Sequence, residues 1–223
     1  QDVDVDRYTI DGEYKQLMVS ARELSPERLP QEAQRWVNRK LQFTHGFGVV
    51  AAPVTDFTTD GKPKFVLKDV PPTGKIEVDR PEIYYGENTR DYVIVNSNIK
   101  EFSYPTADDI PVYANYAGQG GVQLKSFLHR LLYAWQFRDI NVLISGEIQD
   151  ASRIQYRRDI TSRVHEVAPF LKLDSDPYVV VVNGQVLWMQ DAYTVSGKYP
   201  YSTPIESELG EFNYIRNSVK VVM

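Results

Sequence analysis

The sequence predicts an α+β fold in which antiparallel hairpins combine with several packed helices. Two dipeptides, Asp11-Gly12 and Asn183-Gly184, each separate runs rich in β-branched and aromatic residues. Such dipeptides are typical of two-residue hairpin turns. Over 122–137, in contrast, the apolar residues recur at helical spacing. Strands and helices therefore occupy partly separate stretches of the chain.

The first third of the chain is predicted to be mainly β-structure. After the first hairpin, the prolines at positions 26 and 30 introduce a helix near 30–41. The segment 53–81 carries five prolines and two glycines, so we expect a loop with a short strand near 65–67. A second hairpin, with a longer turn, is expected over 83–96.

Helices are predicted to dominate the next part. Six apolar residues within 122–137 fall on one helical face, which we expect to be buried: Leu124, Phe127, Leu128, Leu131, Leu132 and Trp135. Their burial would contribute roughly 10 kcal/mol gross, at about 1.5–3 kcal/mol each. A second helix is predicted over 152–167, with Arg157, Arg158 and Arg163 facing solvent and Asp159 paired with Arg163. After the Asn183-Gly184 hairpin, a last helix is expected beyond Tyr214.

Length, composition and charge exclude several classes of function. The chain has 223 residues, 42% of them hydrophobic, which is enough for a substantial core, and we expect a single domain over 1–223. A net charge of -5 argues against a nucleic-acid partner, because phosphate contacts need a clustered basic surface. The absence of cysteine removes disulfides, thiolate metal sites and thiol nucleophiles.

No stretch of the sequence approaches the roughly 18 apolar residues that a membrane helix requires. The chain also begins at Gln1 without a methionine and ends within an apolar run. We therefore expect it to be an excised part of a larger protein.

His45 is a candidate catalytic residue. It lies between two phenylalanines and beside two glycines in the stretch FTHGFGVV. These neighbours predict a partly desolvated ring, and desolvation disfavours the charged imidazolium. A buried, neutral, hydrogen-bonded imidazole is the commonest role for such a residue, and a general base or a ligand is the alternative.

Three alternating aspartates near the start of the chain, Asp2, Asp4 and Asp6, are candidate metal ligands. Together with Glu13 they mimic the ligand spacing of a calcium-binding loop. The sixth loop position, where such a loop needs glycine, is Arg7. The alternation more simply predicts a strand whose acids face water, and neither a metal nor another cofactor is expected.

Two further carboxylates, Glu87 and Asp191, are candidate catalytic residues. A hydrolase could work through a pair of acids about 5–10 Å apart, a distance that linear spacing does not reveal. The sequence contains no G-x-S-x-G motif for a serine nucleophile. The absence of convergent catalytic motifs favours binding over catalysis.

Six phrases carry a resemblance that extends over nearly the whole chain: DVDVDRYTIDG, WVNRKLQFTHGFGVVAAPV, RPEIYYGE, APFLKLDSDPYVVVVNGQVLWMQDAYT, YPYS and NYIRNSVK. In this order they resemble uncharacterised protein family 182, whose members are large bacterial membrane proteins. Several transmembrane helices near the N-terminus precede a large extracytoplasmic region in that family. The resemblance implies that this chain belongs to that region, and it implies no catalytic residue, cofactor or ligand.

We therefore expect an extracytoplasmic domain of an integral membrane protein of unknown function, acting as a non-catalytic binding or interaction module at the cell envelope. Its own transmembrane region is the expected partner, and envelope polymers or proteins are further candidates. The alternative is an envelope hydrolase that uses carboxylates. The first hypothesis predicts an exposed apolar patch. The second predicts a cleft that holds His45 or two acids with shifted pKa values.

Overall fold

Antiparallel sheet makes up most of the regular structure. The computed structural model describes residues 2–207 and 210–222, and only the backbone of 217–219. Its strands are β1 (Asp4–Ile10), β2 (Glu13–Ala21), β3 (Gly46–Phe47), β4 (Val49–Pro53), β5 (Leu67–Lys68), β6 (Thr73–Gly74), β7 (Val78–Arg80), β8 (Glu82–Ile83), β9 (Val93–Val95), β10 (Glu101–Pro105), β11 (Pro111–Ala114), β12 (Val122–Gln123), β13 (Arg153–Gln155), β14 (Lys172–Leu173), β15 (Tyr178–Val182), β16 (Gly184–Ser196), β17 (Ile205–Ser207), β18 (Gly210–Phe212) and β19 (Tyr214–Val222).

The helices are fewer and shorter than predicted. The described residues form α1 (Phe127–Phe137), α2 (Asn141–Ile144) and α3 (Ile160–Val167). The α+β class is confirmed, but the expectation of several packed helices is wrong. Within the described ranges, no helix has both the length and the apolar character needed to cross a membrane.

Three predicted helices need correction. Short 3₁₀ turns at Pro26–Arg28 and Gln31–Ala33 and a π-helical turn at Asn38–Gln42 replace the helix predicted near 30–41. The helix predicted over 152–167 is divided into β13 and α3, because Arg157 adopts a left-handed conformation with φ of 52°. The segment beyond Tyr214 is β19, which pairs with β16.

The two hairpins with two-residue turns are confirmed. Asp11 and Gly12 have φ of 53° and 81°, and Asn183 and Gly184 have φ of 49° and 75°. Positive φ at both central residues is the type I′ geometry that joins twisted antiparallel strands. The first turn joins β1 to β2 and the second joins β15 to β16.

The hairpin predicted over 83–96 is wrong, because its two strands belong to different sheets. β8 pairs with β3, whereas β9 pairs with β13. Between them, Gly86 N–H donates to Arg158 O at 3.1 Å and Ile160 N–H donates to Gly86 O at 3.0 Å. These bonds attach the turn to the chain just before α3 instead of closing a hairpin.

Two five-stranded sheets organise the molecule. One has the order β1-β2-β4-β5-β6, and in the other β16 pairs with β14, β15 and β19, and in parallel with β7. A first apolar core lies between these sheets and α3. A second core lies beneath α1 and includes Leu41, Ile94, Leu124, Val142 and Ile154.

Candidate functional site

His45 lies inside the protein at the centre of a polar network. Its residue is only 3% exposed. Thr44 Oγ1 donates to Glu101 Oε2 at 2.6 Å, which uses the only hydroxyl proton of Thr44. The 2.9 Å contact between Thr44 Oγ1 and His45 Nδ1 therefore places a proton on Nδ1. The other ring nitrogen, Nε2, is then an acceptor for Ser103 Oγ at 3.4 Å.

The Glu101 carboxylate is the acceptor on which this network depends. Besides Thr44, it accepts hydrogen bonds from Tyr84 OH at 2.9 Å and from Asn96 N–H at 3.2 Å. Burial raises the pKa of Glu101, and these donors oppose the shift because they stabilise the anion. The arrangement satisfies a buried carboxylate that would otherwise be strongly destabilising.

Arg158 fixes the backbone around the same network. Its guanidinium donates to three carbonyl oxygens: to Tyr84 O at 2.6 Å, to Asp91 O at 3.1 Å and to Thr44 O at 2.5 Å. The prediction that Arg158 faces solvent is wrong, since the residue is buried. Burial lowers the pKa of Arg158 to about 10, so the side chain stays charged at neutral pH.

Burial and the neighbouring Arg158 charge lower the pKa of His45 to about 4. The imidazole is therefore neutral at physiological pH. Ser103, His45 and Glu101 form a hydrogen-bonded chain through Thr44 that resembles the relay of a serine hydrolase in its proton positions. However, the His45 side chain is sealed from solvent. A general base must reach the proton that it abstracts, so this geometry supports a structural role.

The stability of the protein is expected to fall in acid because His45 must remain neutral to stay buried. Its pKa is about 4 in the folded protein and near 6.5 in an unfolded chain, so the unfolded state binds more protons between these values. The stability contributed by the neutral ring is complete above about pH 6.5 and is lost as the pH falls towards about 4, amounting to roughly 3 kcal/mol. Urea denaturation across this range measures the loss.

The matched variant is His45→Gln, which keeps a polar side chain but cannot titrate. Its free energy of unfolding should be lower than that of the wild type at neutral pH, and its dependence on pH between about 4 and 6.5 should be flatter. An unchanged pH dependence in this variant would show that other groups cause the acid sensitivity.

Asp4 and Asp6 lie on β1, as predicted, whereas Asp2 precedes this strand, and the prediction that the acids face water is wrong for Asp4. Asp4 is buried on β1, whereas Val3 and Val5 on the alternate face are exposed. Asp4 Oδ2 accepts the Val179 N–H at 2.9 Å, which links β1 to β15. Burial, opposed by the Val179 hydrogen bond and assisted by the charges of Asp2 and Asp176, raises the pKa of Asp4 to about 6.

The structure brings Glu87 to these N-terminal acids. Oxygens of Asp2, Glu87 and Asp176 lie within 4.8 Å of one another, whereas Asp4 and Asp6, the other predicted metal ligands, are not in this group. Such oxygens are the ligands that hard cations such as Ca²⁺ prefer. Burial raises the pKa of Glu87 to about 8, with the charges of Asp4 and Asp2 as the next causes. Among the described residues, Glu87 Oε1 is enclosed without a hydrogen-bond partner.

Replacing Glu87 with glutamine is expected to stabilise the protein at alkaline pH. The pKa of Glu87 is raised to about 8 in the folded state, above the unfolded value of 4.5, so stability is lost as the pH rises through about 8. Glu87→Gln removes the charge and should raise the melting temperature relative to the wild type above this pH. The exposed Glu77→Gln is the control, and an equal change in both variants would contradict the assignment.

Asp191 lies on β16 and forms an ion pair with Lys220 on β19, with Lys220 Nζ 2.9 Å from Asp191 Oδ1. Lys220 Nζ also donates to Tyr178 OH at 2.7 Å. These contacts link β15, β16 and β19 across the sheet. Asp191 thus holds neighbouring strands together through an ion pair, whereas Glu87 lies among other acids.

The apolar face predicted for the first long helix is largely exposed, contrary to expectation. Of the six predicted positions only Leu124 is buried, and it precedes α1. The five others are exposed: Phe127, Leu128, Leu131, Leu132 and Trp135. Trp135 has the largest exposed fraction of the five, at 80%. We call these five residues, with the neighbouring Ile140 and Ile144, the apolar helix face.

The opposite side of α1 makes the helix's own contact with the protein. Ala134 is buried there, and Tyr133 and Phe137 pack on the second core. The Phe137 ring stacks on Tyr92, with the ring centroids 4.5 Å apart. Apolar residues occur on both sides of the helix, and the periodicity alone selected the wrong side for burial.

Sequence reasoning missed Glu101, Tyr84 and Ser103, which complete the network around His45. All three lie in β-rich stretches without a recognisable motif. Their partners are separated from them by 17 to 58 residues along the chain. Only tertiary structure brings such distant residues together, and a single sequence carries no signal of this kind.

These features define a sheet-rich α+β protein with a buried polar network and a helix, α1, whose apolar face is exposed. A family model described as "Uncharacterised protein family (UPF0182)" matches residues 1–223. The chain belongs to this family, in agreement with the resemblance inferred from its phrases. No solved structure matches it significantly.

Curated relatives share the family name. A UPF0182 protein of Pelotomaculum thermopropionicum is 49% identical over 225 residues, and one of Desulforamulus reducens is 46% identical over 226 residues. UPF0182 protein bll7333 of Bradyrhizobium diazoefficiens is 49% identical over 223 residues. The matches cover 99–100% of this chain but only 24% of each relative. The chain thus spans about a quarter of the length of the curated relatives it matches.

Proposed function

We propose that this chain is a non-catalytic interaction module on the extracytoplasmic side of an integral membrane protein, and that the apolar helix face docks against the rest of the same polypeptide. The observation that supports the proposal most directly is the exposure of this face. Contiguous exposed apolar surface of this kind marks interaction sites in soluble proteins.

The apolar character of α1 on two sides argues that the helix is normally covered. Leu128, Leu131, Leu132 and Trp135 follow the i, i+3, i+4, i+7 spacing of one continuous stripe. Tyr133, Ala134 and Phe137 form the other apolar side, which already packs on the second core. An apolar stripe along a helix normally faces a packing partner. The outer stripe therefore lacks its natural contact in this chain.

The remainder of the polypeptide is the occupant that we favour. Relatives are about four times as long as this chain, so most of the full-length protein lies outside these residues. Each large apolar side chain transferred out of water contributes roughly 1.5–3 kcal/mol. A partner within the same polypeptide is always present at high effective concentration, so it would keep the apolar surface covered. The resemblance to a membrane-protein family supports the transmembrane region as the specific partner.

Photo-crosslinking in the full-length membrane protein tests the proposal. A photoreactive amino acid replaces Trp135 at the centre of the apolar helix face, and a matched control replaces Val5, an exposed apolar residue on β1. We expect the Trp135 position to crosslink within one polypeptide, to peptides outside the 223 residues. Crosslinks to a second copy, to another protein or to lipid alone would overturn the assignment of the occupant.

The alternative of an envelope hydrolase draws its support from Glu87, whose raised pKa would suit a general acid near neutral pH. Asp191, the second predicted acid, is instead engaged with Lys220. His45 is sealed within its network. We therefore favour the non-catalytic module.

A further inference from the structure

Arg163 carries an uncompensated positive charge beside a tyrosine ring. Its guanidinium carbon lies 4.6 Å from the centroid of Tyr85. The predicted pairing with Asp159 is wrong, because Asp159 Oδ1 instead caps α3 by accepting the Ser162 N–H at 2.7 Å. Within residues 2–207 and 210–222, the Arg163 guanidinium has no hydrogen-bond or ion-pair partner. Its five N–H donors are thus available to a ligand.

Arg163 lines a cleft that has aromatic walls. A cavity of about 440 Å³ on one side of Tyr85 is lined by Glu82, Tyr84, Tyr85, Tyr116, Arg163 and Trp188, among others. A second cavity, of about 280 Å³, shares Tyr85 and Arg163 with the first. Sites for small organic ligands are typically clefts of about 300–1,000 Å³ with apolar walls and a few polar groups. The first cavity has this size and this composition.

The walls of the first cavity are held in place before any ligand binds. Trp188 is 5% exposed, and its Nε1–H donates to Tyr85 O at 2.9 Å. The rings of Tyr84 and Tyr116 pack edge to face, with centroids 4.8 Å apart. The Tyr84 hydroxyl is bound to Glu101. Such preorganisation lowers the entropic cost of binding.

The charged residues around the cleft restrict the net charge of the ligand that it can bind. Arg157, which lines the second cavity, is already paired with Glu166 at 2.6 Å. Glu82 lines the first cavity without an ion pair to Arg163. A single free guanidinium favours a monoanion, and a nearby carboxylate opposes a dianion such as a phosphate monoester. Glu82 can also accept a hydrogen bond from a donor on the ligand.

We propose that this cleft binds a small organic carboxylate with a flat, apolar body and a hydroxyl or similar donor. The carboxylate pairs with Arg163, since a guanidinium binds carboxylates through two parallel hydrogen bonds. The flat body lies against the tyrosine and tryptophan walls, and the donor is directed to Glu82. This site is separate from the apolar helix face, so the inference does not depend on the proposed docking role.

Titration of the 223-residue chain with matched probes, followed by NMR chemical shifts, tests the inference. 4-Hydroxybenzoate carries the carboxylate, the flat body and the donor, 4-hydroxybenzamide lacks only the charge, and acetate lacks the flat body. We expect 4-hydroxybenzoate to bind saturably at millimolar concentrations or below, at least about tenfold more tightly than either of the other two. Phenyl phosphate should bind more weakly than 4-hydroxybenzoate.

The variants are Arg163→Gln and, as the matched control, Arg157→Gln, with folding checked by circular dichroism. Arg163→Gln should weaken 4-hydroxybenzoate at least about tenfold, whereas Arg157→Gln should leave its affinity within about twofold. The inference is overturned if no probe binds saturably, if the amide or phenyl phosphate binds as well as the carboxylate, or if both variants lose affinity equally. Should Arg163→Gln fail to fold, the comparison of carboxylate and amide on the wild type decides alone.

Discussion

Replacing Arg158 with methionine is expected to destabilise the protein by about 3–5 kcal/mol, which is a large part of the stability of a typical domain. Methionine preserves much of the aliphatic volume but provides no donor. The carbonyl oxygens of Thr44, Tyr84 and Asp91 would then remain buried without the hydrogen bonds that the guanidinium donates. Leaving one buried acceptor unsatisfied costs about 1–3 kcal/mol.

The neighbouring Arg157 offers a matched control. Its side chain is half exposed, and it pairs with Glu166 at the surface. Arg157→Met should change stability by no more than about 1 kcal/mol, because exposed ion pairs contribute little. Urea denaturation of both variants measures the difference. A loss for Arg158→Met as small as that expected for Arg157→Met would show that the three carbonyls find other donors and that Arg158 does not hold the network together.

The second large effect is expected at Leu124, whose side chain is fully buried in the second core. Leu124→Ala should cost about 2–5 kcal/mol, through lost burial and the cavity left behind. The same substitution at Leu132, which is 51% exposed on α1, should change stability by no more than about 0.5 kcal/mol. The pair separates burial from residue type, because the chemical change is identical.

The free energy of unfolding of the 223-residue chain, measured for both leucine variants, checks this prediction. A loss at Leu132 comparable with that at Leu124 would mean that the apolar helix face is covered within the isolated chain. That result would remove the observation on which the proposed docking role depends. Sedimentation of the wild type at several concentrations would then show whether a second copy provides the cover.

The positions of the two tight turns could be predicted from the sequence. Asn183-Gly184 and Asp11-Gly12 predicted two hairpins, and both turns have the positive φ angles that these dipeptides tolerate. The helices were predicted less accurately than the turns. The arginine-rich stretch over 152–167 has helical composition, but it forms β13 and α3 with the left-handed Arg157 between them, and Arg158 points inwards. No local preference specifies that reversal, since it is stabilised by carbonyls far away along the chain.

The sequence identified candidate residues, but it did not identify the residues with which they interact. The aromatic and glycine neighbours of His45 predicted a desolvated ring, and the structure buries it. Its partners Glu101 and Ser103 lie 56 and 58 residues away, respectively, on β10. Glu87 was named as an acid, but its association with Asp2 and Asp176 depends on how β1 and the residues before β15 come together. Electrostatic shifts follow from such convergence, which linear spacing does not encode.

The sequence by itself determined the family, the α+β class and the positions of both tight turns, because these follow from local residue preferences and recognisable phrases. It also determined that α1 would carry an apolar stripe, because spacing along a helix is a local property. Only the tertiary structure decided which side of α1 is buried, which arginine lies inside and which acids meet. Those outcomes depend on the summed packing of segments that are distant along the chain, and no segment contains that information alone.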